Sequence, residues 1–96
     1  MIRVLLVDDQ PLIRTGFKTI LETEPGIEVV GEAGDGAQGV ELALDLRPDV
    51  VCMDVQMPRM NGIEATRELT SRGCGSAVLI LTTFDRDDFL FETLQA

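Results

Sequence analysis

The sequence predicts an α/β domain built on a parallel sheet, and three observations carry that prediction. Short, almost unbroken apolar runs recur at Ile2 to Val7, Val50 to Met53 and Ala77 to Leu81. Runs of this length, bounded by acidic or turn residues, suit strands covered on both faces. Between them the apolar residues change to helical spacing, and single helices between successive strands imply right-handed parallel crossovers.

Taken in order, Ile2 to Val7 is the first strand. Pro11 fits a first helical turn, Ile13, Phe17, Ile20 and Leu21 share one face, and Pro25-Gly26 ends the first helix. Ile27 to Gly31 is more polar, as an edge strand should be. Ala37, Val40, Ala43 and Leu44 form the stripe of a second helix that stops near Pro48. Val50 to Met53 is the third strand. Asn61 followed by Glu64 resembles a capping box and opens a third helix reaching about Arg72. Ala77 to Leu81 reads as a fourth strand covered on both faces. Asp85 can cap a fourth helix there, with Phe84 and Phe89 stapled across its first turn and Asp87 and Asp88 favouring its N-terminus.

The chain has 96 residues, with 8 Lys+Arg against 17 Asp+Glu and a formal charge of −9. That length allows one domain, residues 1–96, burying roughly two-thirds of the surface its unfolded form exposes. With 45% hydrophobic residues, disorder is disfavoured. No apolar run approaches the roughly 20 residues of a membrane span, and the N-terminus lacks the pattern of a signal peptide. A cytoplasmic protein is expected. Eight scattered cations in an acidic chain supply no surface for phosphate backbones, so no direct nucleic-acid binding is expected. The absence of His removes imidazole ligands and His-based acid–base catalysis. Cys52 and Cys74 lack metal-ligand spacing and read as reduced thiols, Cys52 as a buried small hydrophobe. Met53, Met57 and Met60 read as core or loop packing rather than a soft-metal cluster. Gly34 and Gly36 belong to no dinucleotide-binding fingerprint.

Ligands of a doubly wound sheet bind beyond the carboxyl ends of its strands, where the strand order reverses. The first strand ends in Asp8-Asp9, the third in Asp54, the fourth in Thr82-Thr83. If the first and third strands are neighbours, three carboxylates converge beside a hydroxyl. Repulsion would raise their pKa values unless a cation compensates. Oxygen ligands point to a hard ion such as Mg²⁺, and acids, Mg²⁺ and a hydroxyl together suit a phosphoryl group. Acids after strands also merely solvate loops or cap helices, as Asp9 or Gln10 could here. Spacing alone leaves a phosphoacceptor, a metal-binding module and a hydrolase open.

Three segments resemble the signatures of bacterial response-regulator receiver domains, in the family's order and separations. They are Leu5-Leu6-Val7-Asp8-Asp9, Asp54 followed by Met57-Pro58-Arg59-Met60-Asn61-Gly62, and Leu81-Thr82-Thr83-Phe84-Asp85. The wording after Thr82 is most similar to the NarL/FixJ subgroup, whose members usually carry a C-terminal LuxR-type helix-turn-helix. The resemblance implies a flavodoxin-like fold of strand order 2-1-3-4-5, of which this chain holds the first four strands, the fifth strand and last helix being missing. It implies that Asp54 is the phosphoacceptor, that Asp8, Asp9, Asp54 and the backbone carbonyl of Gln56 hold Mg²⁺, and that Thr82 pairs with the phosphoryl group. Thr83 takes the neighbouring position that governs access to it. The implied donor is a sensor histidine kinase, and the implied output is a DNA-binding, transcription-regulating domain outside this chain.

Two departures shape further expectations. The family's invariant lysine stands at the end of the fifth strand, whereas the single lysine here, Lys18, falls in the first helix pattern. This chain is therefore expected to accept phosphoryl groups poorly. A missing fifth strand would leave Val78 to Leu81 an open edge, and open edges recruit other strands. Self-association through the fourth strand and helix is expected. A switch, rather than a turnover enzyme, is the reading. A phosphorylation-independent dimerisation or interaction module is its alternative. A Mg²⁺-dependent aspartyl phosphohydrolase would need an Asp where Gln56 stands.

Overall fold

The computed structural model describes residues 1–57 and 60–81, and the main chain of 92–94. Strands β1 (Ile2–Val7), β2 (Ile27–Ala33), β3 (Val50–Asp54) and β4 (Ala77–Leu81) alternate with helices α1 (Pro11–Glu22), α2 (Gly36–Leu46) and α3 (Gly62–Ser71). The four strands are parallel and stand in the order β2-β1-β3-β4, the flavodoxin-like arrangement expected. After β1 the chain turns one way to β2 and then crosses back to β3, so the order reverses between β1 and β3. A crevice opens at their carboxyl ends.

One face of the sheet carries the core. Leu5, Val7, Val51, Met53, Val78 and Ile80 pack there against Val40 and Ala43 of α2 and Ala65 and Leu69 of α3. Met57 and Met60 pack on its margin, as structural methionines do. The helix ends are chemically defined. Asp35 caps α2 by accepting the Gln38 N–H at 2.8 Å. Asn61 and Glu64 exchange reciprocal hydrogen bonds of 2.8 and 3.0 Å at the start of α3, the capping box read from the sequence. Helix α2 ends on Arg47 in the left-handed region, φ 49°.

The opposite face departs from expectation in two ways. Ile13, Phe17, Ile20 and Leu21 belong to one helix as read, yet α1 buries none of its residues completely, and Ile13, Phe17 and Ile20 are exposed. Helix α1 leans on β1 and β2, while Cys52, Leu79 and Leu81 of β3 and β4 are only half-buried among the described residues. Alternation puts these three opposite the packed face, so among the described residues β4 is covered fully on one side only. The second departure corrects the open edge. Glu92–Leu94 forms a short strand, β5, antiparallel to β4, pairing Val78, Leu79 and Ile80 with Leu94, Thr93 and Glu92. This is not the parallel fifth strand that the resemblance implies, but it occupies hydrogen-bonding groups that were expected to be free. The fourth helix expected from Phe84 and Asp85, with Asp87, Asp88 and Phe89, lies outside the described residues.

Candidate functional site

The parallel register brings the acidic strand ends together. Val7 pairs with Met53 across β1 and β3, so Asp8 and Asp9 leave β1 beside Asp54, the last residue of β3. Carboxylate oxygens of Asp8, Asp9 and Asp54 lie within 4.8 Å of one another. Asp54 is 6% exposed, Asp8 half-buried and Asp9 exposed, which gives the cluster a dry end and a wet end. An open cleft of about 340 Å³, lined by Asp9, Gln10, Asp54, Gln56 and Met57, leads to it.

Burial pushes the Asp54 carboxyl up to about 6, and the charges of Asp8 and then Asp9 push in the same direction. The main-chain N–H groups of Gln56 and Val55 donate to the carboxylate and pull the other way. Asp8 is also raised, first by burial and then by Asp9, against the Gln10 N–H that donates to its Oδ1 at 2.8 Å and against the Arg14 charge. Burial likewise raises the Cys52 thiol, which suits an inert packing residue better than a nucleophile.

Three converging carboxylates form a hard, all-oxygen donor set, and their mutual repulsion is what a divalent cation relieves. The residues present therefore fit a hard cation such as Mg²⁺. The Gln56 main chain is already bonded to the Asp54 carboxylate through its N–H and borders the same cleft.

Neighbouring elements hold the site in place. Gly62 opens α3 directly against the main-chain carbonyl of Asp54, where an added Cβ would collide. Its N–H donates to the Val55 carbonyl at 3.0 Å, and its own carbonyl accepts from the Thr66 hydroxyl at 2.7 Å. Arg14 of α1 donates from Nη1 to the Asp8 carbonyl at 2.5 Å and from Nε to Glu32 Oε1 at 3.2 Å. Neither contact is legible in the sequence. Arg14 stands among apolar helix positions like any solvated cation, and Gly62 reads only as part of a loop wording.

Of the other residues read as functional, Thr82 and Thr83 lie outside the described residues. The preceding residue, Leu81, pairs with Asp54, and its carbonyl accepts the Val55 N–H at 3.1 Å. Lys18 faces Glu32, with Nζ 3.7 Å from Oε2. Cys52 and Cys74 are both free thiols.

Comparison with known proteins shows what the chain as a whole is similar to. The family described as Response regulator receiver domain matches residues 4–96. The chain is 47% identical over 95 residues to the uncharacterized transcriptional regulatory protein YxjL of Bacillus subtilis, covering 99% of this chain and 44% of that protein. It is 46% identical over 96 residues to the transcriptional regulatory protein LiaR of the same organism, covering 100% of this chain and 46% of that protein. The chain thus spans less than half the length of these relatives. Among solved structures, the response regulator domain of Thermotoga maritima CheB superposes with a TM-score of 0.84 at 39% identity, covering 91% of this chain and 64% of that one.

Proposed function

We propose a phosphoryl-accepting switch, on the premise that the chain belongs to the response regulator receiver domain family, with relatives of the NarL/LuxR type. The observation that carries the proposal is the convergence of Asp8, Asp9 and Asp54 at the point where the strand order reverses. Asp54 is the acceptor. In metal-free protein its carboxyl titrates near 6, so at neutral pH it is largely ionised, the form a nucleophile needs. A carboxylate oxygen attacks the phosphorus of a phosphohistidine on a sensor kinase. The new O–P bond forms as the P–N bond breaks, and the electron pair stays on the imidazole nitrogen, which takes up a proton from water. Asp8, Asp9, Asp54 and the Gln56 carbonyl would hold Mg²⁺, which supplies charge neutralisation for the phosphoryl oxygens. The main-chain N–H groups of Val55 and Gln56 orient the Asp54 carboxylate, and Thr82, next along from Leu81, supplies the hydroxyl for the phosphoryl group with Thr83 beside it.

Phosphorylation at Asp54 adds charge and acceptor oxygens beside β4 and biases that region between two states. The output is control of transcription by a DNA-binding domain outside these residues, in keeping with the names of YxjL and LiaR. The chain is a cytoplasmic switch and not a turnover enzyme. Among the described residues no helix is long and apolar enough to cross a membrane. Its charge of −9 disfavours direct contact with nucleic acid. Self-association through the β4 region belongs to the same reading. It rests now on the half-exposed Leu79 and Leu81 rather than on a free edge.

With Lys18 engaged by Glu32, no described lysine serves the phosphoryl group, and acceptance is slow. Prolonged incubation with Mg²⁺ and phosphoramidate, followed by intact mass measurement, should add one hydroxylamine-labile phosphoryl group to the wild type and none to Asp54→Asn. Equal labelling of the two proteins, or none in either at saturating donor, overturns the reading.

A further inference from the structure

Asp8 is fastened at three points. Its N–H donates to the Ala33 carbonyl at 3.0 Å, its Oδ1 accepts from Gln10, and its carbonyl accepts from Arg14. The Arg14 side chain is 19% exposed and splits its guanidinium between that carbonyl and Glu32 of β2. Gly34, just past β2, leaves room for it, since even a Cβ there would stand 3.7 Å from Nη1. One side chain of α1 thereby ties the end of β1 to the edge strand. Arg14, Asp8 and Asp54 also border one small cavity between α1 and the sheet.

A fixed positive charge beside three carboxylates opposes the binding of a cation. By charge alone, Arg14 should weaken any divalent site at Asp8, Asp9 and Asp54. By geometry it should strengthen the site, because a ligand strand held in place loses less freedom on binding. The two effects have opposite signs. We infer that Arg14 is a positioning residue for the cation site, holding the Asp8 main chain so that the Asp8 and Asp9 carboxylates face Asp54. The inference rests on the proposed Mg²⁺ site. The forked contact needs the planar guanidinium, since an ammonium group on a shorter reach cannot keep both acceptors in that geometry.

Calorimetric titration of metal-free protein with Mg²⁺ tests this, with circular dichroism melts showing that each variant is folded at the assay temperature. Arg14→Gln is expected to weaken affinity about tenfold, and Arg14→Lys by a few-fold although its charge is unchanged. Arg14→Lys keeps the charge and most of the stem, so it carries the test if the Gln variant does not fold. Arg72→Gln makes the same change in net charge at the distant pair with Glu41, and should leave Mg²⁺ affinity within about twofold. Unchanged or tighter binding by Arg14→Gln, or wild-type affinity in Arg14→Lys, overturns the positioning role. Wild-type binding that disappears in Asp54→Asn upholds the cation site, so those results would then count against Arg14 alone. Failure of the wild type to bind Mg²⁺ overturns both.

Discussion

Gly62 meets the main-chain carbonyl of Asp54 so closely that no side chain fits between them. The N-terminus of α3 is therefore pressed onto the end of β3, and the loop carrying Val55, Gln56 and Met57 is folded back over the acidic cleft.

Gly62→Ala forces a Cβ into backbone rather than into a flexible side chain, and backbone cannot yield cheaply. A loss of about 1–3 kcal/mol is expected, the range for overpacked sites. Urea denaturation should show a lower midpoint with an unchanged slope. A midpoint equal to the wild type would mean that α3 can back away from β3 without cost.

Asp54 carries a pH signature in metal-free protein. Its carboxyl titrates near 6 when folded and near its usual value of 3.8 when unfolded, so the folded state binds the proton more tightly. That contribution to stability is full below about pH 4 and is lost as pH rises through about 6. Asp8 is raised too, and adds in the same direction. In EDTA, Asp54→Asn should exceed the wild type in stability at pH 7.5 by about 1 kcal/mol, a figure discounted for the open cleft. At pH 4 the advantage should largely vanish. Thermal melts at the two pH values check this, and a gap independent of pH contradicts the upward shift that burial and the neighbouring carboxylates give Asp54.

Arg47 holds a left-handed conformation, φ 49°, with its side chain exposed. Its carbonyl accepts from Arg3 at 2.9 Å and its N–H donates to Ala43 at 3.0 Å, both main-chain groups that glycine retains. Glycine at Arg47 removes a strain of about 1–2 kcal/mol but enlarges the unfolded ensemble. A net gain of about 0.5 kcal/mol is expected, seen as a small rise in the urea midpoint. A fall would show that the Arg47 side chain stabilises the fold in some other way.

Periodicity and capping were legible because their causes are local. Val50 to Met53 reads as a covered strand on its own composition, and Asn61 with Glu64 announces the start of α3 within four residues. The three carboxylates were legible as a group because strand ends are. The exposure of Ile13, Phe17 and Ile20 was not, since a helical stripe records which residues share a face and not how much sheet lies beneath it. The pairing of Glu92–Leu94 was hidden for a similar reason. Three residues have no readable period, and their partner strand is what gives them one.

The amino-acid order alone determined the kinds of element, their sequence along the chain and the acids at the strand ends, because each depends on neighbours a few residues away. Tertiary structure decided how those acids are used. Adjacency of β1 and β3, the press of Gly62 on Asp54 and the reach of Arg14 to the Asp8 carbonyl all join residues brought together by the parallel register and helix packing. Burial and mutual charge, which raise Asp54, exist only once that packing has excluded water.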